Sequence, residues 1–345
     1  MDFSNWAVVG FKDDTGLGRM TRDIQHVLGV SKHFVTPSER MEGHPLNPAK
    51  DILLNEEVDV ESLIRQMQNL EGIFCLERLH WHPALIPAAR EAGIKVVCIP
   101  MWEWFRGTDE DWKDADLFLC PNQKAVQVLN SYGFKNSVYA PWPLDLDSLP
   151  VREITGSART FIHNAGLIDH DDRKGTSCVV KAFSKVKNPE IRLVIRLQQD
   201  SSLELSDKRI EIRIGNLDNP ADLYKEGDVA IQPSRMEGLG FMVLEPVCCG
   251  MPVITTDAAP MNEYVNQPEM LASKRVFTQK SFAYKAASIK HAFLTSPKVS
   301  SLAKRINWCS SNDLSAVSRQ NRNWGLARHD RSKVKPSWEK ALKSL

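Results

Sequence analysis

The sequence lacks a charge imbalance, a long apolar run and a paired-cysteine motif. It carries 44 Lys and Arg against 43 Asp and Glu over 345 residues, a net charge of +1. This balance argues against a general nucleic-acid binder, although a local basic patch stays open. No apolar run approaches the roughly 20 residues that span a bilayer. We therefore expect no nucleic acid among the partners and no membrane-spanning segment.

The seven cysteines are odd in number and scattered, without a Cys-x-x-Cys spacing. Neither a disulfide framework nor a metal site is favoured by that distribution. Cys75, Cys98 and Cys120 lie in apolar strand-like runs, where free buried thiols are found. The first residues, MDFSNW, do not resemble a signal peptide. We expect a reducing, cytoplasmic location.

Length and hydrophobic pattern predict two α/β domains. The chain is long enough for two domains of roughly 150 residues. Short β-branched runs alternate with runs of helical spacing from Trp6 to Ala140, and again from Thr160 onward. This alternation is typical of Rossmann-like parallel sheets. Residues 146–159, with Pro150, Gly156 and several Ser and Thr, are the predicted linker.

The most informative stretch is Asp228–Thr256, DVAIQPSRMEGLGFMVLEPVCCGMPVITT. A short β-branched run leads into a loop with two glycines, and an apolar run of helical spacing then stops at Gly250. A second β-branched run, Val253–Thr256, follows after a very short return. This order predicts strand, loop, helix and strand, with the two strands parallel and buried.

Two carboxylates, Glu237 and Glu245, flank the glycine loop with seven residues between them. Glycines let a backbone approach a ligand closely, and a helix N-terminus attracts an anion such as a diphosphate. A carboxylate can accept two hydrogen bonds from a vicinal diol. The combination predicts a nucleotide-sugar site, with one glutamate on the ribose and the other on the sugar. Either glutamate alone is more often a solvated or dipole-complementing residue.

The whole string resembles the donor site of the retaining GT-B glycosyltransferases, the "group 1" family. The family pattern is Glu-Gly-x-Gly-x-x-x-x-Glu, a small-residue helix and Gly-x-Pro-Val-Ile, and it is matched from Glu237 to Ile254. One departure is Pro246, whose missing N–H is expected to be tolerable only in a first helical turn. The resemblance implies a GT-B fold, that is, two Rossmann-like domains with an interdomain cleft.

The resemblance also implies a wider donor site. Arg173-Lys174-Gly175 resembles the family's Arg-Lys-Gly, whose Lys binds the donor diphosphate, and cations before a helix oppose its dipole, which favours a functional role. Gly16 and Gly18 match a loop that borders the sugar diphosphate, and Gly215 and Asn216 begin a loop that passes the base. The expected catalytic residues are Glu237, Lys174 and Arg173, and the expected donor-binding residues are Glu245, Gly238, Leu239, Gly240, Phe241, Gly16, Gly18, Gly215 and Asn216.

The N-terminal half holds the candidate acceptor side. His80 and His82 follow a predicted strand, where open α/β sheets hold ligands, and the absence of a third nearby ligand disfavours a metal. The clustered aromatic residues Trp102, Trp104, Phe105 and Trp112 are expected to be half exposed, stacking on a sugar or entering a membrane interface. The acceptor-side candidates are His80, His82, Trp102 and Glu103.

Two departures from the family pattern leave a second interpretation open. The family often has a His after the strand Ile94–Ile99, where this chain has Met101 or Trp102, and Glu103 is the candidate replacement. The family's Gly-Arg after the first strand of the second domain is here Gly166-Leu167. The alternative is therefore a nucleotide-sugar-binding subunit with weak or lost catalysis.

Residues 1–145 are expected to form an acceptor domain, with 320–345 crossing back onto it, and residues 160–319 to form the nucleotide-sugar donor domain. The resemblance implies a metal-independent hexosyltransferase that moves a hexose from a UDP- or GDP-sugar to an acceptor hydroxyl with retention, without a further cofactor. The partners are the nucleotide sugar and a glycan or lipid-linked acceptor. Residues 319–345 hold eight Lys and Arg against two Asp and Glu, so peripheral membrane contact stays an alternative to a solvated basic face.

Overall fold

The computed structural model describes residues 2–106, 110–168, 172–200, 203, 205–276, 295–343 and 345. The chain divides into two compact units, Met1–Leu144 with Arg331–Leu345, and Asp145–Asp330. Each is built on a parallel sheet with helical crossovers, which confirms the predicted pair of Rossmann-like domains. Among the described residues, no helix is both long enough and apolar enough to cross a bilayer.

The strands are β1 (Trp6–Gly10), β2 (Lys32–Val35), β3 (Asp51–Leu53), β4 (Gly72–Glu77), β5 (Lys95–Pro100), β6 (Leu117–Cys120), β7 (Ser137–Tyr139), β8 (Thr160–Gly166), β9 (Arg192–Leu197), β10 (Ile210–Ile214), β11 (Val229–Gln232), β12 (Val253–Thr256), β13 (Leu271–Ala272), β14 (Lys274–Val276) and β15 (Thr295–Pro297). The α-helices are α1 (Gly16–Leu28), α2 (Val60–Met67), α3 (Leu85–Glu91), α4 (Gln123–Ser131), α5 (Thr176–Phe183), α6 (Phe241–Cys249), α7 (Val299–Cys309), α8 (Ser315–Arg328) and α9 (Arg331–Leu342).

The first unit has a seven-stranded parallel sheet in the order β3-β2-β1-β4-β5-β6-β7. Its central strands are almost wholly buried. Their sequences are therefore continuous apolar runs rather than alternations of apolar and polar residues. The strand order reverses between β1 and β4, and open α/β sheets bind ligands at the carboxyl ends of the strands at such a point. Cys75 pairs in register with Cys98, and both thiols, like that of Cys120, are free and buried as predicted.

The second unit has a six-stranded parallel sheet in the order β10-β9-β8-β11-β12-β13, and β14 pairs antiparallel with β15. Its strand order reverses between β8 and β11. The loops that leave these two strands lead into α5 and α6. The sheet therefore brings the Arg173-Lys174 loop and the glycine loop together at one edge.

Helix α6 begins after Gly240 and ends before Gly250, both of which have left-handed backbone angles (φ 86° and 94°). Pro246 is the sixth of its nine residues, so the expectation that this proline is tolerable only in a first turn is wrong. Every residue from Val243 to Cys249 is buried. Tertiary packing of a buried helix outweighs one missing backbone hydrogen bond.

The last two helices belong to different units. On α8, Ser318 Oγ donates to the carbonyl of Gly250 at 2.7 Å and Asn321 Nδ2 to that of Met251 at 2.9 Å, which ties α8 to the end of α6 in the second unit. On α9, Trp338 Nε1 donates to the carbonyl of Pro141 at 3.0 Å. The chain thus re-enters the first unit at Arg331.

The aromatic segment after β5 is part of the first unit's core. Trp102, Phe105 and Trp112 are 3%, 0% and 6% exposed, while Trp104 is 40% exposed. Phe105 packs on Trp112, with ring centroids 4.5 Å apart, and on Phe118. The expectation of half-exposed rings is therefore wrong for three of the four, because burying such large apolar surfaces together is more favourable than leaving them in water.

Candidate functional site

Two features fix the conformation of the glycine loop between β11 and α6. They are the left-handed backbone of Gly240 and a hydrogen bond from Tyr264. A side chain at Gly240 would meet Cβ and Cγ of Glu237 at 3.4 and 3.5 Å, and its φ of 86° favours glycine. The Tyr264 hydroxyl donates to the carbonyl of Leu239 at 2.8 Å. Gly238, Leu239, Gly240 and Phe241 thus form a fixed turn at the N-terminus of α6, the end of a helix that carries a partial positive charge.

Glu237 stands at the centre of a charged cluster. Its carboxylate is only 5% exposed. Oε1 accepts from Lys174 Nζ at 2.5 Å and from Ser234 Oγ at 2.7 Å, and Oε2 lies 3.7 Å from the guanidinium of Arg173. The three residues predicted to be catalytic, which come from loops over sixty positions apart, are therefore in direct contact.

The cluster is charged at neutral pH. Burial raises the pKa of the Glu237 carboxyl, but the charges of Lys174 and Arg173 and the hydrogen bonds from Lys174 and Ser234 together lower it by more, so that the pKa lies below its usual value. The Lys174 and Arg173 side chains remain 18% and 35% exposed. Lys174 and Arg173, beside the loop that precedes α6, can bind an anionic group of a ligand, while Glu237 orients their side chains.

The Arg173-Lys174 loop is fixed by Asp172. Its carboxylate accepts from the backbone N–H groups of Thr176 at 2.7 Å and Ser177 at 3.0 Å, which caps α5. The backbone N–H of Arg235 donates to the carbonyl of Arg173 at 2.8 Å and joins the two loops. The unfavourable placement of cations at a helix start is therefore weaker support for a functional role than the sequence suggested, because Asp172 and Glu237 compensate them.

His163 links three elements beneath the site and was missed by the sequence analysis. It is fully buried on β8. Nδ1 donates to the carbonyl of Ile231 at 2.6 Å, so in the neutral ring Nε2 accepts from the Thr176 hydroxyl at 3.0 Å. Burial lowers its pKa to about 4. The only available signal was a histidine between the apolar residues of a strand and its polar end, since Ile162 precedes it and Asn164 follows it.

Glu245 lies on the fifth residue of α6 and is 1% exposed. Its Oε2 accepts a 2.5 Å hydrogen bond from the hydroxyl of Tyr224, which ends the 3₁₀ helix Pro220–Tyr224. The predicted base loop starts at the end of β10, where the N–H of Gly215 donates to Leu197 at 2.9 Å and Asn216 Oδ1 accepts from Gln198 at 3.1 Å. Tyr224 is a second residue that the sequence analysis missed.

Three of the first-unit candidates, Gly18, His80 and His82, have contacts within their own unit. Gly18 is required by its turn, since a Cβ there would lie 2.2 Å from the carbonyl oxygen of Asp13, whereas a Cβ at Gly16 would meet nothing within 4 Å. His80 pairs with Asp114 at 3.3 Å, and His82 Nδ1 accepts from the N–H of Ala84 at 3.3 Å.

Trp102 and Glu103 are buried at 3% and 6% exposure, and Lys124 lies 4.9 Å from the Trp102 ring centroid. The exposed face that sugar stacking requires is therefore missing at Trp102.

The described residues include no group of three or more His, Cys, Asp or Glu side chains arranged to hold a metal ion.

Comparisons with known proteins bear on the fold and on the second unit. Residues 169–323 match the model of the family described as glycosyl transferases group 1. Over 98–99% of both chains, the fold is similar to an Anabaena protein solved with UDP and glucose (TM-score 0.73, 13% identity), a glycosyltransferase from Rickettsia africae (0.71, 14%) and a lipopolysaccharide outer core galactosyltransferase (0.68, 13%). These neighbours confirm the predicted GT-B fold. A search of curated protein sequences gave no match.

Proposed function

We propose that this chain is a glycosyltransferase that moves a hexose from a UDP- or GDP-sugar to an acceptor hydroxyl with retention of configuration. The observation that carries the proposal is the contact of Glu237 with Lys174 and Arg173 at the N-terminus of α6. These residues lie within the segment that matches the group 1 family model. The similar fold of a protein solved with UDP and glucose supports a UDP-linked donor.

The chemistry follows from where charge develops. As the bond from the sugar to the diphosphate breaks, negative charge grows on the departing phosphate. Lys174, Arg173 and the positive end of α6 are already fixed near one another, so they stabilise that charge without reorganising. Glu237 holds Lys174 in place and offers carboxylate oxygens to hydroxyls of the sugar, and Glu245 offers its own to the ribose diol.

Proton transfer from the acceptor is assigned to the departing phosphate rather than to a protein base. A pair of inward-facing carboxylates like that of a glycosidase was not evident from the sequence. The two cations supply the charge stabilisation that a divalent ion supplies elsewhere. We therefore propose a metal-independent reaction, whose rate is unchanged by a chelator.

The test is turnover by the purified full chain with a panel of UDP- and GDP-hexoses. Lys174→Met should lower turnover by about a hundredfold or more, the usual effect of removing one preorganised charge-stabilising group, while a nucleoside without phosphates binds as before. Lys181→Met, on the exposed face of α5, is the matched control. Nucleotide binding without turnover by the unmodified chain would favour the alternative of a binding subunit.

Loss of Lys174 also leaves Glu237 buried with less compensation, which destabilises a fold. The double variant Lys174→Met with Glu237→Gln removes that charge and separates the two effects. It should recover thermal stability relative to Lys174→Met but not activity. Recovery of activity as well would contradict a catalytic role for Lys174.

A further inference from the structure

Strand β10 forms one edge of the second unit's sheet, and no described strand pairs with its outer side. It has five residues, whereas the other outer strands of the two parallel sheets, β3, β7 and β13, have three, three and two. An edge strand presents unpaired backbone N–H and C=O groups, and most folds limit this exposure by keeping such strands short. In the described part of the chain, β10 is therefore the longest open edge of either parallel sheet.

The backbone groups at this edge belong to isoleucines. The N–H of Gly215, directly after the strand, donates to the carbonyl of Leu197 on β9 at 2.9 Å. Successive residues of a strand direct their backbone groups to opposite sides, so the even-numbered residues of β10 direct theirs to the open edge. Those residues are Ile210, Ile212 and Ile214.

The side chains of the same residues form an apolar strip along the edge. Ile214 is 56% exposed, more than any other described large apolar side chain except Val151. Ile212 is half-buried and lies on the same face of the sheet, because the two residues are two positions apart. Apolar surface beside unpaired backbone groups is typical of an edge that pairs with another strand.

The opposite face of β10 carries one acidic and one basic side chain, Glu211 and Arg213. Arg213 Nε donates to Glu211 Oε1 at 2.6 Å, and its Nη1 donates to Glu226 Oε2 at 2.7 Å. The Glu211 side chain stays 50% exposed. The sequence of the strand is Ile-Glu-Ile-Arg-Ile, so opposite charges lie at equal distances on either side of Ile212.

This pattern complements itself under two-fold symmetry. A two-fold axis at Ile212 would set two copies of β10 antiparallel. Each Ile212 would then exchange backbone hydrogen bonds with the partner's Ile212, and the N–H of Ile214 would donate to the carbonyl of the partner's Ile210. Glu211 would lie opposite the partner's Arg213, and such cross-strand pairs of opposite charge are stabilising.

The neighbouring registers are unfavourable. Because the edge-facing residues are the even-numbered ones, the nearest alternative axes lie at Glu211 and at Arg213. The first sets Glu211 against the partner's Glu211, and the second sets Arg213 against the partner's Arg213. Like charges directly opposite one another are destabilising. Charge therefore selects a single register between two copies of this strand.

We propose that this chain forms a two-fold dimer through β10, with one continuous sheet across the two second units. A second copy is favoured over an unrelated strand because the charges of β10 are complementary to those of β10 itself. The dimer is independent of the proposed glycosyl transfer, since Glu237, Lys174 and Arg173 lie on other elements.

Sedimentation velocity of the purified full chain at increasing concentration and low salt tests the dimer. The unmodified chain should dimerise. Glu211→Arg and Arg213→Glu should each weaken dimerisation about tenfold or more, because symmetry repeats each new like-charge contact twice. A one-to-one mixture of these two variants should dimerise like the unmodified chain, since each supplies the charges that the other lacks. Glu153→Arg, exposed elsewhere in the second unit, is the matched control.

The double variant Glu211→Arg with Arg213→Glu restores opposite charges across the axis, so it should dimerise even if one single variant has a lowered melting temperature. A chain that stays monomeric at about 1 mM overturns the proposal. Dimers that both single variants leave intact place the interface elsewhere and also overturn it. Failure of both the mixture and the double variant to dimerise contradicts the register centred on Ile212.

Discussion

At the residue scale, the donor site is a set of buried charges that compensate one another. Glu237 and Glu245 are both almost completely buried from solvent. Each accepts a short hydrogen bond, Glu237 from Lys174 and Glu245 from Tyr224. Buried carboxylates persist only with such partners. A ligand that binds here must therefore exchange hydrogen bonds with these groups rather than simply add new ones.

Glu245→Gln tests the ribose assignment. The variant keeps the shape of the side chain but removes its charge, so affinity for free UDP should fall about ten- to a hundredfold, in line with the roughly 1.5–3 kcal/mol of a hydrogen bond to a charged group. Calorimetric titration measures it, with the exposed Glu153→Gln as control. Unchanged UDP affinity would show that Glu245 does not hold the ribose.

His163 predicts an acid-sensitive second unit. Its pKa is about 4 in the fold and about 6.5 in an unfolded chain. The unfolded state therefore binds the proton first as the pH falls, and stability decreases between pH 6.5 and 4, by roughly 3 kcal/mol in total. Above pH 6.5 this residue adds nothing to the pH dependence of the free energy of unfolding.

Denaturant unfolding at several pH values checks this expectation. His163→Gln should flatten the dependence between pH 6.5 and 4 in the second unit. His33, whose pKa burial also lowers to about 4, contributes a similar dependence in the first unit, so His33→Gln is the matched comparison. A pH dependence of the second unit that His163→Gln leaves intact would contradict the assignment.

Residues whose role depends on a short-range pattern were predictable, and residues whose role depends on tertiary contacts were not. Glu237, Gly240 and Glu245 belong to one contiguous string, and Lys174 to another. Asp172, His163, Tyr224 and Tyr264 act through partners that the fold brings to them. Nothing in their sequence spacing specifies those partners.

At the scale of elements, α6 and its glycine loop organise the second unit. The order β11, loop, α6 and β12 was predictable because β-branched runs and glycines mark its limits. The position of Pro246 within the helix was not, since tertiary packing decides what a short helix tolerates. The three-residue strand β3 was not predictable, because Asp51–Leu53 is too short to show a period.

Gly240→Ala tests the loop. At φ 86° an alanine costs about 1–2 kcal/mol, and its Cβ would lie in van der Waals contact with the side chain of Glu237. Gly43→Ala is the matched control, with φ 85° and open space around it. Both variants should lose similar stability in thermal unfolding, but only Gly240→Ala should lose UDP affinity. Equal UDP affinity in the two would mean that the loop does not contact the nucleotide.

At the scale of the whole molecule, two independent Rossmann-like sheets were predictable from the alternation of strands and helices. The burial of the tryptophans after β5 was not, because the same residues suit a core or an interface and only packing decides. With Trp102 and Trp112 buried and Trp104 40% exposed, a membrane contact would depend on Trp104 and on the cations of residues 319–345, at about 1 kcal/mol each near an anionic surface. The aromatic support for that alternative is reduced to one residue.

The most direct test of the account is ¹H NMR of the purified full chain with α-linked UDP- and GDP-hexoses, following the anomeric proton of the first sugar product formed. We predict that one of these sugars is consumed, that a chelator does not slow its consumption, and that the product appears first as the α-anomer. A product that appears first as the β-anomer would contradict retention. A chain that binds the nucleotide but consumes none of the sugars would contradict the transferase proposal itself.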